Sequence, residues 1–352
     1  MNKITKIIAS LLASTALTFS AFAGEMTVTG TAKATYGTVS GKVNGDNGVG
    51  VANELKFSAG GELDNGFTWD YALALDPAST AGGGSALNDD SKLVVTTPYG
   101  AVAICMLDCS LGAAGAFNSN AYAWITDTAY GEGKVVPTNI SSYNNIQYHT
   151  PSGLLPFDTT FKIAYAGTGN TLSQGTNSSS VANGALISST TQYRISTVPV
   201  DGLAIDVSLT EQDGPNNPTI SLSDEQQHTS GTIAAKYTMG AFTVGLGRDF
   251  VSPRAADGTA AGATTVETYT NNNISIGFAV NDALSISYSD ESSEQEMQTT
   301  TTVTNDQDTS SVQAAYTMGG MTLAVAHTQY DNVGYVANAD VSETILAVTV
   351  GF

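Results

Sequence analysis

The chain has 352 residues and a mass of 36.1 kDa, enough for one large domain or two ordinary ones, yet only 12% of it is charged, where a soluble globular chain carries roughly 25%. Twelve Lys and Arg against 32 Asp and Glu give a net charge of -20, which argues against nucleic acid or anionic lipid headgroups as the main partner. Two Cys exclude a disulfide-rich scaffold and a four-cysteine metal site.

Residues 1–23 read as an export signal. Lys3 and Lys6 form a positive start, Ile7 to Phe19 is a mostly apolar run, and Ala21, Phe22 and Ala23 give a small-x-small cleavage site before Gly24. Its removal takes away two bases and no acid, leaving ten bases against 32 acids on residues 24–352. No later run of 18 apolar residues occurs, so a membrane crossing, if there is one, is made by strands.

Period-two alternation starts at once: Met26, Val28, Ala32, Ala34 and Tyr36 alternate with Thr and Lys. It returns at Leu55, Phe57, Ala59 and Leu63, turns at Asp64-Asn65-Gly66, and continues through Phe67, Trp69, Tyr71, Leu73 and Leu75. Followed to the end, the pattern predicts sixteen strands, at 25–36, 51–63, 67–75, 91–97, 100–106, 140–149, 158–167, 187–198, 202–211, 228–239, 241–250, 266–280, 283–290, 308–318, 321–331 and 342–352. Their connections alternate between short turns and long segments rich in Gly, Ser, Thr, Asn and Asp, the longest at 107–139. That alternation predicts an all-β, antiparallel, up-and-down transmembrane barrel with its turns on one rim and its loops on the other. A soluble sandwich would carry its charge on the non-apolar face, whereas here that face is mainly Thr, Ser, Gly and Gln. Tyr36, Tyr99, Tyr165, Tyr237, Tyr288 and Tyr316 fall near predicted strand ends, as girdle aromatics do. The run Ala234 to Gly240 is echoed by Gln313 to Gly319, each closing a strand at a tight turn.

Two stretches carry a family resemblance. The final strand, Glu343 to Phe352, with outward Leu346, Val348 and Val350 and a terminal Phe, resembles the signal by which outer-membrane barrels reach their assembly machinery. Asn145 to Gly153, followed by Phe157 and Phe161 to Tyr165, is similar to the segment after the long third loop of Gram-negative general porins. The resemblance implies a homotrimer of 16-stranded, water-filled barrels in the outer membrane, contacting its lipid and lipopolysaccharide. Its turns would be periplasmic, its loops external, and the 107–139 loop would fold inward opposite basic wall residues. With only Arg194, Arg248 and Arg254 in the chain, a dense arginine ladder is absent.

Strand parity then assigns the lumen. Lys33, Glu54, Lys56, Glu62, Asp70, Lys92, Lys162, Arg194, Asp206, Lys236 and Glu343 point inward, while Arg248 shares parity with Phe242, Val244 and Leu246. Asp108, Asp127 and Glu132 are the acidic candidates for the constriction, with Lys33, Lys56 and Arg194 facing them. The three His lie on different elements, and no catalytic or phosphate-binding motif has a supporting context, so no enzyme is expected. Cys105 and Cys109 are expected to close a disulfide ring in an oxidising periplasm, metal binding there lacking two further ligands. Asp290, Glu291, Glu294, Glu296, Asp306 and Asp308 form an acidic stretch, read either as solvated loop or as a site for structural divalent cations such as calcium. The function expected is passive diffusion of ions and small hydrophilic solutes with modest cation preference. The alternatives are a plugged adhesive or structural barrel and a substrate-specific porin.

Overall fold

The structure is a computed structural model that describes residues 26–41, 47–75, 90–125, 134–167, 189–213, 225–253, 255–256, 266–298 and 304–352. The export signal, Asp127, Glu132 and Arg254 lie outside these residues.

Sixteen strands close into one antiparallel barrel. In chain order they are β1 (Thr27–Gly41), β2 (Asn47–Glu62), β3 (Thr68–Leu75), β4 (Asp90–Thr97), β5 (Gly100–Met106), β6 (Asn145–His149), β7 (Thr160–Gly167) and β8 (Ser189–Val200). They continue with β9 (Leu203–Asp213), β10 (His228–Met239), β11 (Phe242–Ser252), β12 (Val266–Ala279), β13 (Leu284–Met297), β14 (Gln307–Met318), β15 (Met321–Asp331) and β16 (Val341–Gly351). Glu225–Gln226 pairs with Ala255–Ala256 apart from the barrel. Each strand pairs with the next, and β16 returns to β1 in a register running from Thr31↔Gly351 to Gly41↔Val341. Closure leaves no open edge, as a strand structure in hydrocarbon requires. No helix among the described residues is long and apolar enough to cross a membrane.

The polarity is inverted relative to a soluble protein. Leu246, Ile233 and Leu346 are among the outward residues and are 53–56% exposed, while Gln192, Asn271 and Ser275, on the opposite face, are fully buried inside. Tyr36, Tyr99, Tyr165, Tyr237, Tyr288 and Tyr316 are all exposed. Tight turns follow the glycine logic of the sequence. Gly66 has φ 77° and donates its N–H to the Leu63 carbonyl at 2.8 Å, and the echoed turns place Gly240 and Gly319 at φ 58° and 57°.

Four strand ends differ from expectation. β1 and β2 extend further toward their shared loop, to Gly41 and from Asn47. Residues 140–144 are not strand: Ile140–Ser142 forms a 3-10 turn whose Asn139 cap accepts from the Ser141 N–H. The Ile140 N–H there donates to Gln192 Oε1 at 3.0 Å rather than to a neighbouring strand. β13 runs to Met297, not 290, so Asp290, Glu291, Glu294 and Glu296 are ladder residues and not loop. Alternation continues through them, Glu291 buried and Asp290, Glu294 and Glu296 exposed, which is why the ladder tolerates so many acids.

Among the described residues, β3 to β7 contribute five to eight residues each, whereas β1 and β2 contribute 15 and 16 and β8 to β16 contribute 11 to 14. The connection after β5 folds against the inside of the wall between β7 and β16. Small apolar clusters fix it there: Leu111 and Ile140 with Ala164 and Ala166, Ala121 and Tyr122 against Ala315, Ala324, Ile345 and Ala347, and Ile125 with Tyr330 and Val341.

Candidate functional site

The loop after β5 begins at a covalent ring. Cys105, the last inward residue of β5, is disulfide-bonded to Cys109, with Cα atoms 6.0 Å apart. The turn inside the ring places Leu107 at φ 53° and Cys109 at φ 67°, and the Cys109 carbonyl accepts from Gln147 Nε2 at 2.5 Å. Asp108, in the same ring, holds Lys92 of β4 at 2.9 Å.

From there the loop crosses the strands by successive contacts. The Ala113 N–H donates to Ser208 Oγ of β9 at 2.9 Å. Phe117, fully buried, lies over Gly245 and Gly247 of β11, where a Cβ at either position would collide with it. Burying such a ring contributes about 1.5–3 kcal/mol. The Ser119 N–H donates to Ser275 of β12 at 2.9 Å, the Ala121 N–H to Ser287 of β13 at 2.8 Å, and those of Tyr122 and Ala123 to Gln313 of β14, both at 3.0 Å. A track of Ser, Gly and Gln on alternate wall positions thus satisfies the amides of an otherwise irregular segment, as burial of backbone requires.

The returning limb is held by charge. Lys134 Nζ lies 3.3 Å from Asp249 Oδ2 of β11 and 3.1 Å from Glu291 Oε2 of β13, all three side chains at most 3% exposed. Asn273 also accepts from the ammonium, and Trp124 Nε1 donates to Glu291 Oε1 at 2.6 Å. The rings of Phe117 and Trp124 stand 5.8 and 5.7 Å from the same nitrogen. Farther along, Asn271 donates to the Val135 carbonyl and Ser230 accepts from the Thr138 N–H.

Contact with this loop defines the inward face, and register extends it around the barrel. Lys33 is inward, its Nζ 5.9 Å from the Tyr122 ring. Thr29↔Lys56 and Thr31↔Glu54 put both β2 residues on that face, and Glu62 and Asp70 follow by alternation, Asp70 opposite Gly60. Lys162 stands between His149 and Arg194 in one cross-strand row, and Lys236 stands opposite Gly245. Arg194 donates to Asp206 Oδ1 from Nη2 at 2.6 Å and to the Gly112 carbonyl from Nη1 at 2.9 Å. Among the described residues its loop partner is therefore a carbonyl and not a carboxylate. Glu343 is buried on the inward face, with Tyr330 donating to it at 3.5 Å. Burial and, secondarily, the Glu343 charge hold the Tyr122 phenol above its ordinary pKa, so it offers the lumen a neutral hydroxyl. Arg248 points outward beside Leu246 and Phe250, as its parity implied.

Lys134 and Asp249 were not among the expected site residues, and Glu291 was expected only in an acidic loop and not in the lumen wall. Asp249 and Glu291 have inward parity in the sequence, whereas nothing in an irregular loop marks the direction of Lys134. Asp127 and Glu132 fall within 126–133, outside the described residues.

Residues 9–334 match the sequence pattern of a family described as Gram-negative porin. No curated protein matches the sequence. Among solved structures, an anion-selective porin from Comamonas acidovorans superposes with a TM-score of 0.68 at 12% identity, over 94% of this chain and 100% of that one. OmpF of Salmonella typhi in complex with daunomycin gives 0.65 at 15% identity, over 94% and 98%. A trimer form of OmpT, an outer-membrane protein of Vibrio cholerae, gives 0.62 at 10% identity, over 93% and 99%.

Proposed function

We propose, for a chain that belongs to the Gram-negative porin family and forms a diffusion channel through the outer membrane, that its lumen passes ions and small hydrophilic solutes with a modest preference for cations and without a catalytic step. The observation that carries the preference is the site of Lys134. The base that the described part of the loop presents is consumed by two wall carboxylates, so it adds no free basic charge to the lumen. Arg194 and Lys92 are likewise each matched by an acid. Asp127 and Glu132, on the same loop, would add to the negative side of the constriction, facing Lys33 of β1 and Lys56 of β2. The chain's acidic excess at the mouth acts in the same direction over a Debye length of about 8 Å at physiological salt.

In this reading three copies associate, as in the trimer form of OmpT. The outward acids of β13 lie beyond the apolar belt at the loop end, where lipopolysaccharide phosphates and divalent cations would meet them. Phe352 serves as the assembly signal.

Reversal potential across a planar bilayer under a KCl gradient tests the preference. A potassium-preferring value is expected, and a chloride-preferring value in low salt would defeat it.

A further inference from the structure

The connection between β15 and β16, residues 332–340, is drawn into a compact turn. The Asn332 N–H donates to Asp340 Oδ1 at 3.2 Å, Asn332 Oδ1 accepts from the Asn338 N–H at 3.0 Å, and the Val333 N–H donates to the Ala339 carbonyl at 2.8 Å. Tyr335 lies in this turn at φ 64°, a left-handed conformation that a bulky residue adopts only where its surroundings impose it. Its ring stands 5.4 Å from that of Tyr269 on β12, and its hydroxyl lies 2.8 Å from Ser293 Oγ of β13. Ser293 in turn donates to Asn271 Oδ1 at 2.6 Å, which commits its proton and makes Tyr335 the donor to it. Asn271 Nδ2 donates to the Val135 carbonyl at 2.8 Å, and the Val135 N–H reaches the Tyr335 oxygen. Burial raises the Tyr335 pKa, so the phenol keeps the proton that this closed ring of hydrogen bonds requires. A second contact lies on the other limb of the inner loop, where Val333 packs against the cluster of Ile125, Tyr330 and Val341.

We propose that Tyr335 is a positioning residue of the channel, coupling the connection 332–340 at the rim of long loops to the inner loop at Val135, so that a load on the exposed tip 336–338 disturbs the open state. This rests on the reading of the lumen as an open diffusion path and adds a handle to it. Ser293 and Asn271 are buried in the wall, and a buried network with every member paired holds one arrangement. Moving Tyr335 leaves the Ser293 oxygen and the Val135 N–H short of a partner, a cost that is avoided only if the return limb follows. Val135 is the neighbour of Lys134, so a shift there also strains the ion pairs that seat the limb. The strained backbone of Tyr335 fits this role, since the side chain is held where the limb needs it and not where its own turn would place it.

The test reads open-channel noise of single channels in symmetric KCl at about 1 M, where the Debye length is about 3 Å and the charge of an added protein is screened. Ala337→Cys, in the exposed tip, supplies a free thiol for biotin, since Cys105 and Cys109 are bonded to each other. Streptavidin is then added to the chamber from which it binds. The expected result is a rise in noise of about twofold on streptavidin binding, which falls to near none when Tyr335→Phe is added. Tyr335→Phe keeps the ring beside Tyr269 and removes the oxygen alone. Ser293→Ala breaks the same bond from the wall side and should act alike, so the comparison is made in whichever of the two folds. Unchanged noise on streptavidin binding overturns the inference, as does a rise that survives the variant, because the bound protein then acts at the mouth without Tyr335. Silence at about 1 M before streptavidin is added overturns the diffusion reading, and this inference with it.

Discussion

Gly245 of the wall and Phe117 of the loop approach so closely that a Cβ on Gly245 would overlap the Phe117 carbonyl oxygen. Overpacking such a contact forces the weaker element to move, and here that is the loop. The Gly245→Val variant should therefore displace the loop into the lumen and lower single-channel conductance by roughly a third or more. The barrel should still show its folded mobility on unheated gels. Unchanged conductance would mean that the loop does not border the path.

Lys134 pairs with two buried carboxylates at once. Removing one partner of a buried ion pair costs about 3–5 kcal/mol, and the loop can escape that cost by leaving the wall. Lys134→Met should give noisier open channels, closure at lower voltage and faster proteolysis within residues 107–139. Lys134→Arg should restore much of the quiet behaviour, because the charge is kept. If Lys134→Met is as quiet as the unaltered protein, the loop is held by its serine and glycine contacts alone.

The ring closed by Cys105 and Cys109 should protect both sulfurs. Alkylation of the denatured protein should add mass only after reduction, and two reactive thiols before it would refute the bond. Replacing both by Ser removes a short loop constraint worth about 2 kcal/mol in the chain-entropy account. The loss should appear in the protease sensitivity of the loop's root, before any effect on barrel unfolding.

Gly30 exchanges hydrogen bonds with Phe352 in both directions, at 2.7 and 2.9 Å, and a Cβ on Gly30 would meet the Phe352 ring at 2.5 Å. The Gly30→Val variant should push that ring off the seam between β1 and β16. A several-fold lower yield of heat-resistant barrel in refolding is the expected outcome, and an unaltered yield would show that the ring contact is dispensable.

Most of the barrel was legible because a strand with one face in lipid and one in water writes its period into every second residue. Twelve of the sixteen predicted strands end within two residues of the observed ones, and two of the exceptions are instructive. β6 was drawn too long because Ile140 and Tyr143 continue an apolar pattern, yet the backbone there is capped by Asn139 and Gln192. β13 was drawn too short because its acids resemble a solvated loop. That truncation put Glu291 outside the wall and concealed the partner of Lys134. Asp249 was within reach: it alternates with Gly245 and Gly247, opposite in parity to Leu246. What parity cannot supply is the path of an irregular segment, which is set by distant wall residues 90 or more positions away, such as Ser208 for Ala113 and Gln313 for Tyr122.

The serine and glycine track has an evolutionary consequence. Because the loop is fitted to particular wall positions, its residues cannot drift independently of β9 to β14. A larger side chain arriving at 245 or 247 is tolerated only if position 117 shrinks, and loss of the hydroxyl at 275 strands the amide of residue 119. Substitutions at these pairs are therefore expected to occur together across descendants of this chain, while the exposed stretches of the outer loops change freely.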